Sequence, residues 1–206
     1  MELFDYCRSS ASYRVRIALN LKEVDHELTS ISLLDNEQQS DLYLLKNPTG
    51  LVPTLHTEYG ELSQSLAILE YLEERYPNPA LLPSDPWQKA QCRALAQQIC
   101  CDIHPLNNLR VLKYLTGHLK VDEEQKIEWY HHWLNTGLQP LEKQLLKTHG
   151  MYSLGDEISL VDVCLIPQLF NAYRFELDMS PYPTLAKLYH YCLEHPAFFD
   201  ARPNKS

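Results

Sequence analysis

The run Cys7-Arg-Ser-Ser-Ala-Ser-Tyr-Arg-Val-Arg-Ile-Ala-Leu19 concentrates the side chains best suited to chemistry. Ser9, Ser10 and Ser12 bring hydroxyls to the point where an alternating, aromatic stretch (Glu2 to Cys7) gives way to a helical apolar period through Val15, Ala18 and Leu19. A strand that turns into a helix there exposes the first N–H groups of the helix, with roughly half an elementary positive charge behind them. Such a point takes an anion: a phosphate, a carboxylate or a thiolate. The same serines would also serve simply to cap the helix. A second point of this kind is Gln64-Ser65, ahead of Leu66, Leu69 and Leu72 at helical spacing. With Ser65 as N-cap, its hydroxyl and the first-turn N–H groups suit a carboxylate. Between the two, Leu51-Val-Pro-Thr-Leu55 holds a proline inside an apolar run. Pro53 cannot donate to a ladder, and a cis Val52–Pro53 bond would bend the chain and leave the Val52 backbone facing a ligand.

These residues need elements to position them. Strand, helix and a second strand over His26 to Leu33 call for a crossover and parallel pairing. A short helical segment through Glu37-Gln-Gln-Ser and Tyr43-Leu-Leu ends at Asn47-Pro48. Pro77, Pro79, Pro83 and Pro86 mark a linker, and everything beyond it is helical in pattern. Cys92 to Leu106 reads as a long amphipathic helix kinked at Pro105, followed by a polar stripe of His104, Asn107, Asn108 and Arg110. A second helix spans Asp122 to Lys147. Ser159-Leu-Val-Asp162 resembles a capping box that opens a helix ending at Arg174, and a last helix covers Thr184 to Glu194 before a polar tail.

Composition bounds the function. The chain has 206 residues, 22% charged and 45% hydrophobic, and a formal net charge of −9. That describes an ordinary globular protein and argues against nonspecific binding to nucleic acid or anionic membranes. With no membrane-length apolar run and no signal-like N-terminus, a cytoplasmic protein is expected. The six cysteines form no C-x-x-C pair and fit a reduced compartment. Cys101-x-x-His104 has metal-like spacing without a second ligand pair and reads as core thiols on a helix, so no metal is expected.

Taken together, the two helix starts and the Val-Pro run resemble the thioredoxin-like domain of the glutathione transferase superfamily. Arg8-Ser-Ser-Ala-Ser-Tyr-Arg-Val-Arg-Ile-Ala-Leu19 is similar to the signature of its zeta class, which contains the maleylacetoacetate and maleylpyruvate isomerases. The resemblance continues through Asn47-Pro48, Gln64 to Leu72, His104 to Arg110, Gly155-Asp156, Pro167-Gln168 and Asn171 to Phe175. It implies an α/β thioredoxin-like N-terminal domain (residues 1–77), a linker (78–86) and an all-α C-terminal domain (87–206), together the glutathione transferase fold. It further implies glutathione as cofactor and a homodimer. Ser9 and Ser10 would hold its sulfur, and Val52 would pair with its cysteinyl backbone. Gln64 and Ser65 would take the γ-glutamyl carboxylate, while Gln38, His104, Asn108 and Arg110 match further contact positions.

The reaction implied is cis–trans isomerisation of a maleyl to a fumaryl group, as in tyrosine and phenylalanine catabolism. Adding a thiolate across the double bond makes it single and free to rotate, and elimination regenerates the thiol. Charge developing on the neighbouring carbonyl oxygen needs cationic or N–H donors. In an acidic protein a dianionic substrate also requires local arginines, and Arg8, Arg110 and Arg174 fit that need. Arg174 matches the class's substrate-carboxylate arginine. Arg14 and Arg16 read as interdomain packing. The main departures are Ala11, where many members have cysteine, and Tyr13 in place of a frequent tryptophan. Ala11 leaves a maleylpyruvate isomerase open beside a maleylacetoacetate isomerase. A noncatalytic adaptor on the same fold is the other alternative, disfavoured because it would not need these serines and arginines together.

Overall fold

A computed structural model describes residues 1–203 of the chain, which divide into two compact units. The first unit comprises Met1–Leu81 together with residues 193–203. Its sheet has the order β2-β1-β3-β4, built from β1 (Glu2–Asp5), β2 (Glu27–Ser30), β3 (Thr54–Thr57) and β4 (Gly60–Ser63). β1 pairs with β2 in parallel, as the crossover requires, and β3 runs antiparallel to both β1 and β4. β4 was not foreseen: four residues closing a tight turn carry too short an alternation to read. Gly60, at φ +116°, makes that turn possible.

Helix α1 (Ser10–Leu21) was expected to be amphipathic, yet Tyr13 through Leu19 are all buried. A short α2 (Asp41–Lys46) follows β2 in the chain; α1 is covered on several sides, packing on α3 (Ser65–Arg75) and on α9 (Pro196–Asp200). The Tyr13 hydroxyl donates to the Phe198 carbonyl (3.1 Å), Arg16 Nε to that of Ala201 (2.9 Å) and Asn20 to that of Ala197 (3.2 Å). The expected polar tail is therefore a helix tied back to α1, and the C-terminal segment packs with the sheet unit although residues 87–206 were expected to form one helical domain. Arg14 and Arg16, expected between domains, bond within this unit: Arg14 to Ser65, Arg16 to Asp5 (2.6 Å) and the Cys7 carbonyl. The first part of the expected linker also belongs here. Buried Lys22 binds Glu73 (2.7 Å) and the carbonyls of Tyr76 and Pro79, and Glu73 accepts from the Leu81 N–H.

The second unit, Leu82–Cys192, is helical. α4 (Pro86–Gln97) stops well before Pro105. A π-helical turn (Gln98–Ile103) and a 3₁₀ turn (His104–Asn107) follow, and a new helix, α5 (Leu109–Gly117), starts after Asn108. The expected single kinked helix is thus two helices, because Pro105 withholds a donor and the Asn108 side chain caps a fresh start. α6 (Glu123–Thr148), α7 (Leu160–Arg174) and α8 (Pro183–Cys192) complete the unit, with α7 against both α4 and α8. The capping box holds: buried Asp162 accepts from the N–H groups of Ser159 (2.8 Å) and Ser153 (2.9 Å). Cys92, Cys164 and Cys192 are buried, and burial pushes the Cys92 thiol up to about 11. Cys101, expected in the core, is exposed. Among the described residues no helix is long and apolar enough to cross a membrane.

Candidate active site

Ser9 is the N-cap of α1. Its hydroxyl oxygen accepts from the Ser12 N–H (3.2 Å), and its carbonyl takes the Tyr13 N–H (2.9 Å). Capping and anion binding are compatible, because an oxygen that accepts from Ser12 keeps its own proton to donate outward. Ser10 opens the helix and is almost buried, 5% exposed, while Arg8 is exposed beside it. Ser10 and Ala11 contribute first-turn N–H groups, which have no acceptor within the helix. Ser12 departs from the expectation. Its hydroxyl is fully buried and has no partner among the described residues, so it points into the fold instead of joining an anion site.

The Val52–Pro53 bond is cis, as the proline in its apolar run suggested. Val52 precedes β3 and stays outside its ladder. The chain is clamped on either side of it. Tyr43 and Asn47 each bond to both the Leu51 carbonyl (2.7 and 2.8 Å) and the Thr54 hydroxyl (2.9 and 3.0 Å). Asn47 is itself fixed by bonds from Thr49. The Asn47-Pro48 motif is therefore a brace for the Val52 backbone.

At the second helix start the cap is Gln64, not Ser65. Gln64 makes no side-chain capping bond and sits at φ +72°, a conformation costing on the order of 1–3 kcal/mol for a residue with a Cβ. Ser65 is the first helical residue and is buried, accepting a hydrogen bond from Arg14 Nη1 (3.2 Å). The first turn of α3 thus lacks a side-chain acceptor, a state suited to an incoming carboxylate. Through Arg14 the fold joins the Ser10 and Ser65 helix starts. Sequence reasoning missed Arg14, since nothing local says which distant side chain an arginine on a buried helix will meet. Gln38 lies in a 3₁₀ turn (Glu37–Gln39) with its amide oxygen buried and, among the described residues, unpartnered.

In the helical unit, His104 and Asn108 are neighbours on the turn after the π-helical segment, with Asn108 Nδ2 3.3 Å from His104 Nε2. The Asn108 side-chain oxygen caps α5 by accepting the Arg110 N–H (3.1 Å), so its amide group alone is left for another acceptor. Arg110 is exposed in the first turn of α5. Arg174, the last residue of α7, is exposed and lies over the Phe175 ring (4.8 Å), which steadies the guanidinium. His131 lies 2.7 Å from the Phe175 carbonyl.

The sheet unit offers two helix starts for anions, a strand-edge backbone and the exposed Arg8, parts for binding an anionic peptide and activating a thiol; the helical unit by itself carries exposed Arg110 and Arg174. Comparison with known proteins agrees. Residues 3–80 match the family model for the glutathione S-transferase N-terminal domain, and residues 109–198 that for the C-terminal domain. A protein of Vibrio cholerae named probable maleylacetoacetate isomerase is 49% identical, covering 98% of this chain and 94% of its own. The holo structure of maleyl pyruvate isomerase, described as a bacterial zeta-class glutathione S-transferase, superposes with a TM-score of 0.96. It is 42% identical over 98% of this chain and 97% of that one. Maleylacetoacetate isomerase of Methylobacterium extorquens AM1, solved with malonate and GSH bound, also reaches 0.96, at 36% identity over 100% of this chain and 98% of that one.

Proposed function

The chain belongs to the glutathione S-transferase family, within its zeta class, and from that premise we propose that it is a glutathione-dependent cis–trans isomerase converting maleylacetoacetate to fumarylacetoacetate. The observation that carries this reading is the pair of helix N-termini in one unit. One is bordered by Ser9 and Ser10; the other is uncapped and backed by a buried arginine. The parts fit glutathione: an open first turn for its γ-glutamyl carboxylate, the Val52 backbone for its cysteinyl unit, and the α1 start for its sulfur. When bound, glutathione supplies the thiolate that adds to and leaves the maleyl double bond, permitting rotation.

The chain's own residues do the rest. The Ser9 hydroxyl and the first-turn N–H groups of α1 hold negative charge on sulfur and so favour the thiolate over the thiol. Gln64 and Ser65 hold the γ-glutamyl end, with Gln38, His104 and Asn108 as further contacts. Arg8, Arg110 and Arg174 bind the carboxylates of the dianionic substrate, and guanidinium forks aimed at the oxygen where charge develops lower the barrier. Ala11 presents a methyl group where many class members have cysteine. Maleylpyruvate is the alternative substrate, since a maleyl pyruvate isomerase and a maleylacetoacetate isomerase resemble this chain equally, each at a TM-score of 0.96. Following the absorbance of maleylacetoacetate and maleylpyruvate with and without glutathione tests the reading: turnover of either only with glutathione supports it, and no turnover, or turnover without glutathione, refutes it. We further propose a cytoplasmic homodimer, by analogy with the superfamily. Sedimentation should give twice the chain mass, and a monomer would contradict it.

A further inference from the structure

We propose that Arg14 is the built-in counter-charge for the α-carboxylate of the bound tripeptide, a positioning residue that acts through Ser65. The proposal rests on the glutathione reading above.

Among the described residues of the sheet unit three cations are buried: Arg14, Arg16 and Lys22. Two of them have a carboxylate, Arg16 on Asp5 at 2.6 Å and Lys22 on Glu73 at 2.7 Å. Arg14 is only 1% exposed, yet its one hydrogen bond is Nη1 to the Ser65 hydroxyl, and Nε and Nη2 have no partner among the described residues. A guanidinium out of water without an anion is costly, and proteins retain one where an anion arrives to compensate it. The position says where. Ser65 begins α3, an 11-residue helix whose cap residue, Gln64, makes no side-chain bond to the first turn. The helix dipole and the Arg14 charge therefore reinforce each other at one spot.

The hydrogen bond also sets the sense of the serine. By donating to Ser65 Oγ, Arg14 takes one of that oxygen's two lone pairs and biases the hydroxyl proton outward. Ser65 then meets a ligand as a donor, which suits a carboxylate and disfavours an amide N–H or an ammonium group. Specificity for the γ-glutamyl end thus begins one layer behind the residues that touch it.

Calorimetric binding of two tripeptides to the full chain tests this. The first is reduced glutathione; the second is 4-aminobutyryl-cysteinyl-glycine, which lacks only the α-carboxylate. Wild type should prefer glutathione. Arg14→Met should lose at least tenfold in glutathione affinity with little change for the analogue, so the preference collapses. Arg14→Lys, which keeps the charge, should retain part of it. Circular dichroism and melting establish that each variant folds, and Arg14→Gln replaces Arg14→Met should the latter fail. Equal weakening of both tripeptides would mark Arg14 as merely structural, and an unchanged preference would also overturn its role. A wild-type chain that binds neither would refute the glutathione reading itself.

Discussion

Ser9 and Ser10 are adjacent hydroxyls that the fold assigns different duties. Ser9 holds the Ser12 N–H as helix cap, whereas Ser10 is nearly buried in the first turn. Ser9→Ala should therefore destabilise the chain by about 1 kcal/mol as well as slow it. If both hydroxyls stabilise thiolate, each serine-to-alanine variant should reduce kcat, on the order of a hundredfold, with little change in KM. Arg174→Ala should do the reverse, raising KM roughly tenfold or more by removing charge-assisted bonds to a carboxylate. Steady-state kinetics on the maleyl substrate separates the two, and an unchanged KM would put Arg174 outside the carboxylate site. At this scale the sequence was informative where the signal is local. Serines at a strand-to-helix junction and a proline in an apolar run are readable from their neighbours. The Gln64 cap was not, because a positive φ at a non-glycine is imposed by the surrounding structure.

The turn bearing His104 and Asn108 depends on how α6 approaches it. Gly137, in the middle of α6, faces Ile103, and a Cβ at Gly137 would collide with the Ile103 side chain. Two effects oppose each other in Gly137→Ala. The helix gains about 1 kcal/mol in propensity, while overpacking costs typically 1–3 kcal/mol. Because the collision falls on Ile103 Cγ1 as well as on its terminal Cδ1, and a β-branched side chain has little freedom at χ1 to move aside, the packing cost should win. Thermal melting should show a lower midpoint for Gly137→Ala; a higher one would mean that the π-helical turn yields. Sequence period alone placed a continuous helix here. It recorded the apolar spacing correctly but not the π-helical turn at Gln98–Ile103, which widens the backbone without changing residue types.

Across the whole molecule, the segment after Leu193 decides how the sheet unit is closed. Phe198 is fully buried, and its carbonyl accepts from the Tyr13 hydroxyl. Phe198→Ala should cost about 3–5 kcal/mol in urea unfolding, and a loss under 1 kcal/mol would show that the segment merely rests on α1. The sequence by itself determined the α/β-then-helical order, the parallel β1–β2 crossover and, to within a residue, both helix starts, and it marked Val52–Pro53 as a place for a cis bond. All of these follow from periodicity, caps and the missing proline donor, which act between near neighbours. Tertiary structure alone decided that Arg14 meets Ser65, 51 residues on, and that Tyr13 meets Phe198, 185 residues on. It also decided that the C-terminal helix returns to the first unit. Such pairings depend on which buried surfaces find each other once the whole chain is packed, and no local pattern encodes that choice.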